Sequence, residues 1–254
     1  MRPELHFGFA GLLQYANVLQ DPLFWKGIIV TFRFVVESVL LSALIGLGVA
    51  LTLNQPFKGR GAVRALVLLP WAVSEFATGI IWSYLYRGSA FGLFNAILLS
   101  LRLISNPITW ISEGFAVEAI SLAFAWHMAP LAAFFFLANL QFIPKDIYRQ
   151  ARIDGANAFR RFRSITLPYL RYSLMIIAVL TMVYASKTID IVLTLTGGGP
   201  GFESSTLTNI VYVRTFKELK FAYGAAMSWF LIVIVMALVT STFVIMMRVG
   251  RKAR

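Results

Sequence analysis

Cysteine is absent from the 254 residues, and histidine occurs only at His6 and His127. Without cysteine the chain can build neither a disulfide framework nor a thiolate site. The two histidines share no metal-ligand spacing, and the sequence contains no GxxxxGK[ST] phosphate loop. We therefore expect no catalytic residues, no metal site and no bound cofactor, and we do not expect an enzyme.

Charge is also scarce, since charged residues make up 13% of the chain and hydrophobic residues 59%, with a mean hydropathy of +0.76. Soluble domains are about 45–50% apolar. In a membrane protein, lipid covers this excess apolar surface. Each segment that crosses the membrane must then be a helix or part of a closed barrel, because lipid offers no hydrogen bonds to the backbone. The apolar runs are long and continuous rather than short and alternating, which excludes barrel strands. The sequence therefore predicts an all-α polytopic membrane protein.

Five apolar runs are each long enough to cross a hydrocarbon core of about 30 Å. They predict transmembrane helices at about 27–53, 65–86, 115–142, 169–196 and 221–247. Two outer loops lie between them, at residues 87–114, with a helix near 91–103, and at residues 197–220. We find no internal repeat and no soluble domain, so residues 1–254 are expected to form one transmembrane domain.

Two residue pairs in the first run predict specific contacts. Arg33 and Glu37 are four residues apart and could pair on one helix face. Gly46 and Ala50 form a small-xxx-small face, which suits close contact with another helix.

The distribution of lysine and arginine predicts the sidedness of the spans. Three lie in loop 54–64, seven in segment 145–171 and four in the C-terminal tail that ends at Arg254. Seven, including Arg2, lie on the opposite side. By the positive-inside rule the first set is cytoplasmic. Five spans then place the N-terminus outside and the C-terminus inside. The same rule explains the net charge of +12, which therefore does not indicate binding to nucleic acid.

The longest polar interruption on the C-terminal side of the chain is Tyr148 to Pro168, YRQARIDGANAFRRFRSITLP. It predicts two short helices joined at Gly155, which can take the positive φ of a turn. In the second helix Phe159, Phe162 and Ile165 recur every third residue and predict an apolar stripe. Pro168 can open the next helix. On these residues alone, a plain surface hairpin between two spans also fits.

The residue pattern of this hairpin, residues 146–168, resembles the "EAA" loop of permease subunits of binding-protein-dependent ABC importers. In that family the loop is a cytoplasmic coupling helix that sits in a groove of the ATPase subunit and transmits the motion of ATP binding. The matching residues are Ala151, Asp154, Gly155, Ala156, Ile165, Leu167 and Pro168. Phe162 joins them through the apolar stripe.

One pair of positions departs from the family pattern. Arg149-Gln150 stands where the family has Glu-Ala, so the ion pair that this glutamate would make with the ATPase is not carried over.

The segment LTLTGGGP, residues 193–200, resembles the outer loop of the sugar-permease branch of the same family, together with Thr206 and FKELKFAYGAAMS. That branch imports sugars, oligosaccharides and glycerol phosphates. The loop residues are Gly197, Gly198, Gly199 and Pro200. Taken alone, such a run is typical of an ordinary turn at a helix end. The first span of that branch has no counterpart here, so either the start codon is assigned too late or the protein lacks that span.

Polar residues inside the predicted spans are candidates for the substrate path. They are Glu75, Lys187 and Asp190. A charge at the bilayer centre costs roughly 2.5–3.5 kcal/mol on insertion scales, so each should face a cavity or a partner. Lys187 and Asp190 are three residues apart, and an internal salt bridge without a ligand role also fits. Glu75 could equally be a buried structural residue, and His127 near Pro130 is interpreted as a packed residue at a kink.

The resemblance implies a permease subunit in the bacterial cytoplasmic (inner) membrane that carries a sugar or related polyol. It implies a second permease subunit, two copies of an ATPase that binds the ATP, an extracytoplasmic solute-binding protein and lipid as partners, with no nucleic acid. Two alternatives from other classes are an ATPase-independent secondary carrier or channel, and a membrane scaffold.

Overall fold

The computed structural model describes residues 11–112 and 114–252, and all regular structure in these ranges is helical. Arg2, His6 and Arg254 lie outside the described residues. The helices are α1 (Leu13–Gln20), α2 (Pro22–Leu53), α3 (Arg60–Ala72), α4 (Glu75–Leu85), α5 (Leu93–Ser100), α6 (Ala116–Gln141), α7 (Lys145–Ile153), α8 (Ala158–Arg161), α9 (Leu167–Tyr169), α10 (Arg171–Lys187), α11 (Asp190–Leu195), α12 (Leu207–Tyr212) and α13 (Phe221–Lys252).

Among the described residues, three single helices are long and apolar enough to cross a membrane: Pro22–Leu53, Ala116–Gln141 and Phe221–Ile245. Two bent pairs pass the same test, Arg60–Ala72 with Glu75–Leu85 and Ala158–Tyr169 with Arg171–Lys187. The number of spans rises to five if each bent pair is one span.

The span predicted at 65–86 is a bent pair of helices and not one straight helix, because α3 and α4 meet at an angle of 97°. Pro70 lies inside α3, where its ring disrupts the backbone hydrogen-bond ladder. Val73 is extended (φ −76°, ψ 138°), and the Ser74 hydroxyl accepts a hydrogen bond from the Ala77 amide. Ser74 is thus an N-cap that starts a new helix in a new direction.

The span predicted at 169–196 is also interrupted. α10 ends at Lys187, Thr188 is extended (φ −66°, ψ 135°), and α11 begins at Asp190. Neither proline nor glycine lies at this break. The break is therefore set by tertiary contacts rather than by local preference.

The core is built on α2 and α6, which run side by side in the same direction. Arg33 of α2 pairs with Glu37 at 2.9 Å, as predicted, and also with Glu118 at the start of α6. Further along, a Cβ on Gly46 would lie 2.6 Å from the Ala132 Cβ and 3.0 Å from the Ala129 carbonyl oxygen. The predicted close helix contact at Gly46 is therefore confirmed.

Three apolar clusters extend from this pair. One joins α2 and α6 to α4 and α11 around Phe34, Phe124 and Trp82. A second, which we call the inner cluster, surrounds Phe136 and Leu170 and joins α2 and α6 to α10. A third packs α1, α12 and α13 against the start of α2. The inner cluster also receives side chains from the hairpin 146–168.

Candidate functional site

The joint of the hairpin is a hydrogen-bonded turn around Gly155. The Gly155 amide donates to the Arg152 carbonyl at 3.1 Å, and the Ala156 amide donates to the Ala151 carbonyl at 2.8 Å. Gly155 has a φ of +75°. This is the Schellman arrangement that ends a helix and requires a left-handed residue at that position. The turn therefore brings Ala151, Gly155 and Ala156, three of the predicted coupling residues, into one structural unit.

The second arm of the hairpin is less regular than predicted. The Asn157 side chain accepts from the Arg160 amide at 2.8 Å and starts α8, which passes into a π-helical turn at Phe162–Thr166 before α9. A π-helical turn holds more residues than an α-helical one, so spacing by three no longer keeps side chains on one face. The apolar stripe is accordingly split, with Phe159 70% exposed and Ile165 packed against the inner cluster.

The two arms of the hairpin are joined at their base. The hydroxyls of Tyr148 and Thr166 lie 2.8 Å apart, and Thr166 is buried. Tyr148 and Ile165 both pack against the inner cluster. Neither Tyr148 nor Thr166 was among the predicted site residues. A tyrosine and a threonine eighteen positions apart carry no periodic signal, so only the fold brings them together.

The tip of the hairpin, by contrast, is open. Ile153, which was not among the predicted coupling residues, is 85% exposed, and the predicted residues Asp154 and Gly155 are exposed beside it. Leu167 and Pro168 are also exposed, at the end of the second arm. Arg149, which replaces the family glutamate, pairs locally with Asp146 at 3.3 Å. The hairpin thus has a fixed base and a free tip with exposed apolar side chains.

The break between α3 and α4 lies against the break between α10 and α11. The Thr188 hydroxyl, at the end of α10, donates a hydrogen bond to Glu75 Oε2 at the start of α4. His127 Nδ1 of α6 lies 3.0 Å from the Pro70 carbonyl oxygen. At Gly79 a Cβ would collide with the Thr194 side chain of α11. Glu75 therefore holds the two breaks together, and Thr188 is the partner that sequence reasoning missed.

Lys187 and Asp190 are both exposed, and within the described residues no ion pair joins them. The internal salt bridge considered above is therefore wrong. Instead the Lys187 Nζ lies 4.4 Å from the centroid of the Tyr184 ring. Because both charges lie beside a break within an otherwise apolar segment, they need a polar cavity or a partner chain.

The predicted outer loop at 197–200 is closely hydrogen-bonded rather than a simple turn. The Ser204 hydroxyl donates to the Gly199 carbonyl at 2.7 Å, and the Ser205 hydroxyl donates to the Gly198 carbonyl at 3.0 Å. Both serines are buried. A Cβ on Gly198 would collide with Ser205 Oγ, which explains why this position is glycine. These hydrogen bonds therefore fix the backbone conformation of the loop next to Pro200.

Next to this loop, a charged network links the start of α2 to the start of α13. Arg214 bonds Asp21 at 3.1 Å and Glu218 at 2.9 Å, and the Tyr223 hydroxyl donates to Asp21 at 2.7 Å. Burial alone would raise the pKa of Asp21, but the Tyr223 hydroxyl, the Leu23 amide and Arg214 together lower this pKa below its ordinary value. Lys220 and Arg214 likewise lower the pKa of Glu218.

These lowered pKa values predict that acid weakens the network. A carboxyl group with a lowered folded-state pKa stabilises the fold above its unfolded pKa and loses that contribution as the pH falls through the folded value. We expect Asp21→Asn to lower the free energy of unfolding by about 1–3 kcal/mol at neutral pH. The variant should also lose less thermal stability than the unmodified protein between about pH 5 and pH 2. Thermal unfolding in detergent measures both.

The matched control is Asp146→Asn, which removes an ion pair whose side chains are 73% and 77% exposed. Such exposed pairs contribute little, so its stability and pH profile should follow the unmodified protein. Equal pH profiles for Asp21→Asn and the unmodified protein would contradict the role of the network.

Comparison with known proteins identifies the family to which this chain belongs. Residues 42–254 match the family described as "Binding-protein-dependent transport system inner membrane component". The chain is 38% identical to the trehalose/maltose transport system permease protein MalF of Thermococcus litoralis, over 97% of this chain and 81% of that protein. It is 32% identical to the sn-glycerol-3-phosphate transport system permease protein UgpA of Agrobacterium fabrum, over 94% and 81%.

Among solved structures, the fold is similar to a bacterial alginate ABC transporter in complex with an alginate pentasaccharide-bound periplasmic protein. The TM-score is 0.80 at 18% identity, and the match covers 94% of this chain and 84% of that chain.

Proposed function

Because this chain belongs to the family of binding-protein-dependent transport system inner membrane components, we propose that it forms half of the path for a sugar or polyol and takes its motion from an ATPase at hairpin 146–168. A second permease would supply the other half of the path, and two ATPase copies would dock on the cytoplasmic hairpins. The ATP would be bound by the ATPase and not by this chain. Family membership favours this over an ATPase-independent carrier or a scaffold.

The observation that carries the proposal is the contrast between the base and the tip of the hairpin. The base is fixed by the Tyr148–Thr166 hydrogen bond and by packing against the inner cluster. The tip presents Ile153 and Phe159, exposed by 85% and 70%, to another protein. Exposed apolar side chains on a rigid support suit docking into an apolar groove. A push at such a tip rotates the whole hairpin instead of deforming it.

Helix α10 connects the base of the hairpin with the candidate path. It follows α9 after a bend of 63° at Leu170 and has 17 residues, which span about 25 Å at 1.5 Å per residue. At its far end Thr188 bonds Glu75, so a tilt of α10 would move both breaks. We propose that Glu75, Lys187 and Asp190 line the path near these breaks.

The substrate class is inferred from the relatives, whose names specify trehalose/maltose and sn-glycerol-3-phosphate. The outer side of the protein, where loops 87–114 and 197–220 lie, would receive the solute-binding protein, by analogy with the alginate transporter bound to its periplasmic protein. The closely bonded loop at 197–200 offers a rigid surface for that contact. In this arrangement loop 54–64 and the basic C-terminal end of the chain would lie in the cytoplasm.

Cysteine crosslinking tests the position of the ATPase. The chain has no native cysteine, so Ile153→Cys and Phe159→Cys each place one thiol at the tip of the hairpin. We expect both to crosslink to the ATPase of the co-expressed transporter, and the yield should change when ATP is added. Asn106→Cys, on the opposite predicted side, is the control and should give no such product. Absence of crosslinks at both tip positions in an actively transporting complex would exclude docking at the hairpin.

A further inference from the structure

The loop between α4 and α6 is held rigidly by one buried side chain. Asn95 of α5 is fully buried and bonds backbone groups of Arg87, Ser89 and Ile108 at 2.9–3.3 Å, and it also accepts from the Trp110 indole at 3.2 Å. The adjacent Phe94 ring packs edge-on against the rings of Trp82, Tyr86 and Trp110. One face of α5 is therefore fixed to the body of the protein.

The opposite face of α5 is apolar and exposed. Leu93, Ile97 and Leu101 recur every fourth residue and are 50%, 45% and 62% exposed. Phe91 and Leu103, just outside the helix ends, are 92% and 67% exposed. Such a contiguous apolar surface on a rigid helix marks a binding surface.

The charged residues nearest α5 are both arginines. Loop 87–114 contains Arg87 and Arg102, and its one acidic residue, Glu113, stands at the C-terminal end of the loop sequence. The Arg87 guanidinium lies 5.5 Å from the centroid of the Tyr84 ring, at the end of α4. A helix with an apolar face, flanking arginines and aromatic rings at the same level is typical of segments that lie in the membrane interface.

We propose that the surface formed by Phe91, Leu93, Ile97, Leu101 and Leu103 lies at the boundary between headgroups and acyl chains of the outer leaflet and binds lipid there. The two flanking arginines face phosphate groups, with a preference for anionic lipid. The proposal uses the outer placement of loop 87–114 proposed above, but it does not depend on the ATPase or on the substrate.

Lipid fits this surface better than the solute-binding protein does. A surface where a protein docks reversibly is about as apolar as the rest of the protein surface, whereas this surface consists of leucine, isoleucine and phenylalanine. The loop also joins the end of α4 to the start of α6, and both helices belong to candidate spans, so it would emerge at the membrane surface. Loop 197–206, with its buried serines and exposed backbone turns, is the more suitable protein-docking surface.

Fluorescence quenching distinguishes lipid from water at this surface. Ile97→Cys and Leu101→Cys, each labelled with bimane, are reconstituted as the complete transporter in vesicles of phosphatidylcholine and phosphatidylglycerol. We expect strong quenching by lipids brominated near the headgroup end of the acyl chain, and several-fold weaker quenching by iodide than at Asn106→Cys. Asn106 is the control because it is exposed and polar and belongs to the same loop.

Two results would overturn the lipid assignment. Iodide quenching at Ile97→Cys and Leu101→Cys equal to that at Asn106→Cys would place the surface in water. Protection from iodide only after addition of the solute-binding protein would assign the surface to that protein. ATP-driven uptake by the same vesicles is measured in parallel, so a failed quenching experiment with normal uptake rejects the lipid site and leaves the transport function intact.

The arginines supply an independent test. The double variant Arg87→Gln/Arg102→Gln keeps the apolar face, so the labels should remain quenched by brominated lipid. Raising the phosphatidylglycerol fraction should increase that quenching in the parent and change it several-fold less in the double variant. An unchanged dependence on phosphatidylglycerol would show that the two arginines do not bind anionic headgroups.

Discussion

Gly155→Pro is expected to leave the protein inserted in the membrane and assembled with its ATPase, but to abolish ATP-driven uptake while ATP hydrolysis continues. Proline fixes φ near −65°, whereas the joint requires +75°. It also removes the amide that donates to the Arg152 carbonyl. The tip would then point in a different direction relative to the base. Uptake and ATPase rates measured in the same vesicles reveal the uncoupling.

Smaller substitutions at the same position provide a graded control. A Cβ on Gly155 meets no other atom within 4 Å, so any effect of a small side chain comes from the backbone conformation alone. Asparagine tolerates positive φ and should retain most of the coupling. Alanine should weaken it, because the left-handed conformation costs about 1–2 kcal/mol. Normal uptake by Gly155→Pro would exclude a lever role for the hairpin.

Gly46→Leu is expected to prevent correct folding of the membrane domain. A Cβ alone would meet the Ala132 Cβ at 2.6 Å and backbone atoms of Ala129 and Ala133 at 3.0 Å. Backbone atoms within a helix cannot move aside individually, so α2 and α6 would have to separate. Overpacking of a core typically costs about 1–3 kcal/mol, occasionally more. Because this contact lies between the two central helices, we expect the largest stability effect in the chain here.

Gly48→Leu is the matched control in the same helix. A Cβ on Gly48 has no atom within 4 Å, so the added side chain points into open space. The yield of monodisperse protein in detergent and its thermal unfolding should be near normal for Gly48→Leu and strongly reduced for Gly46→Leu. Similar losses for both variants would indicate that helix propensity, and not the α2–α6 contact, accounts for the effect.

The sequence by itself determined the positions of the apolar runs and of the hairpin joint at Gly155. Hydropathy and loop charge predicted helices across the regions of α2, α6 and α13, because burial in lipid demands continuous apolar stretches. Gly155 and Gly46 were also recognisable, because a left-handed turn and a close helix contact each favour a residue without a side chain. These signals are local and need no knowledge of the fold.

The breaks and the contacts that link distant segments were decided only by the tertiary structure. The end of α10 at Lys187 has no proline or glycine to announce it, and Thr188 reaches Glu75 across more than a hundred residues. The five hydrogen bonds of Asn95 and the Tyr148–Thr166 bond likewise join positions without a common period. The physical reason is that a sequence period records which face of a helix is apolar, whereas the partner of a polar side chain depends on which helices become neighbours.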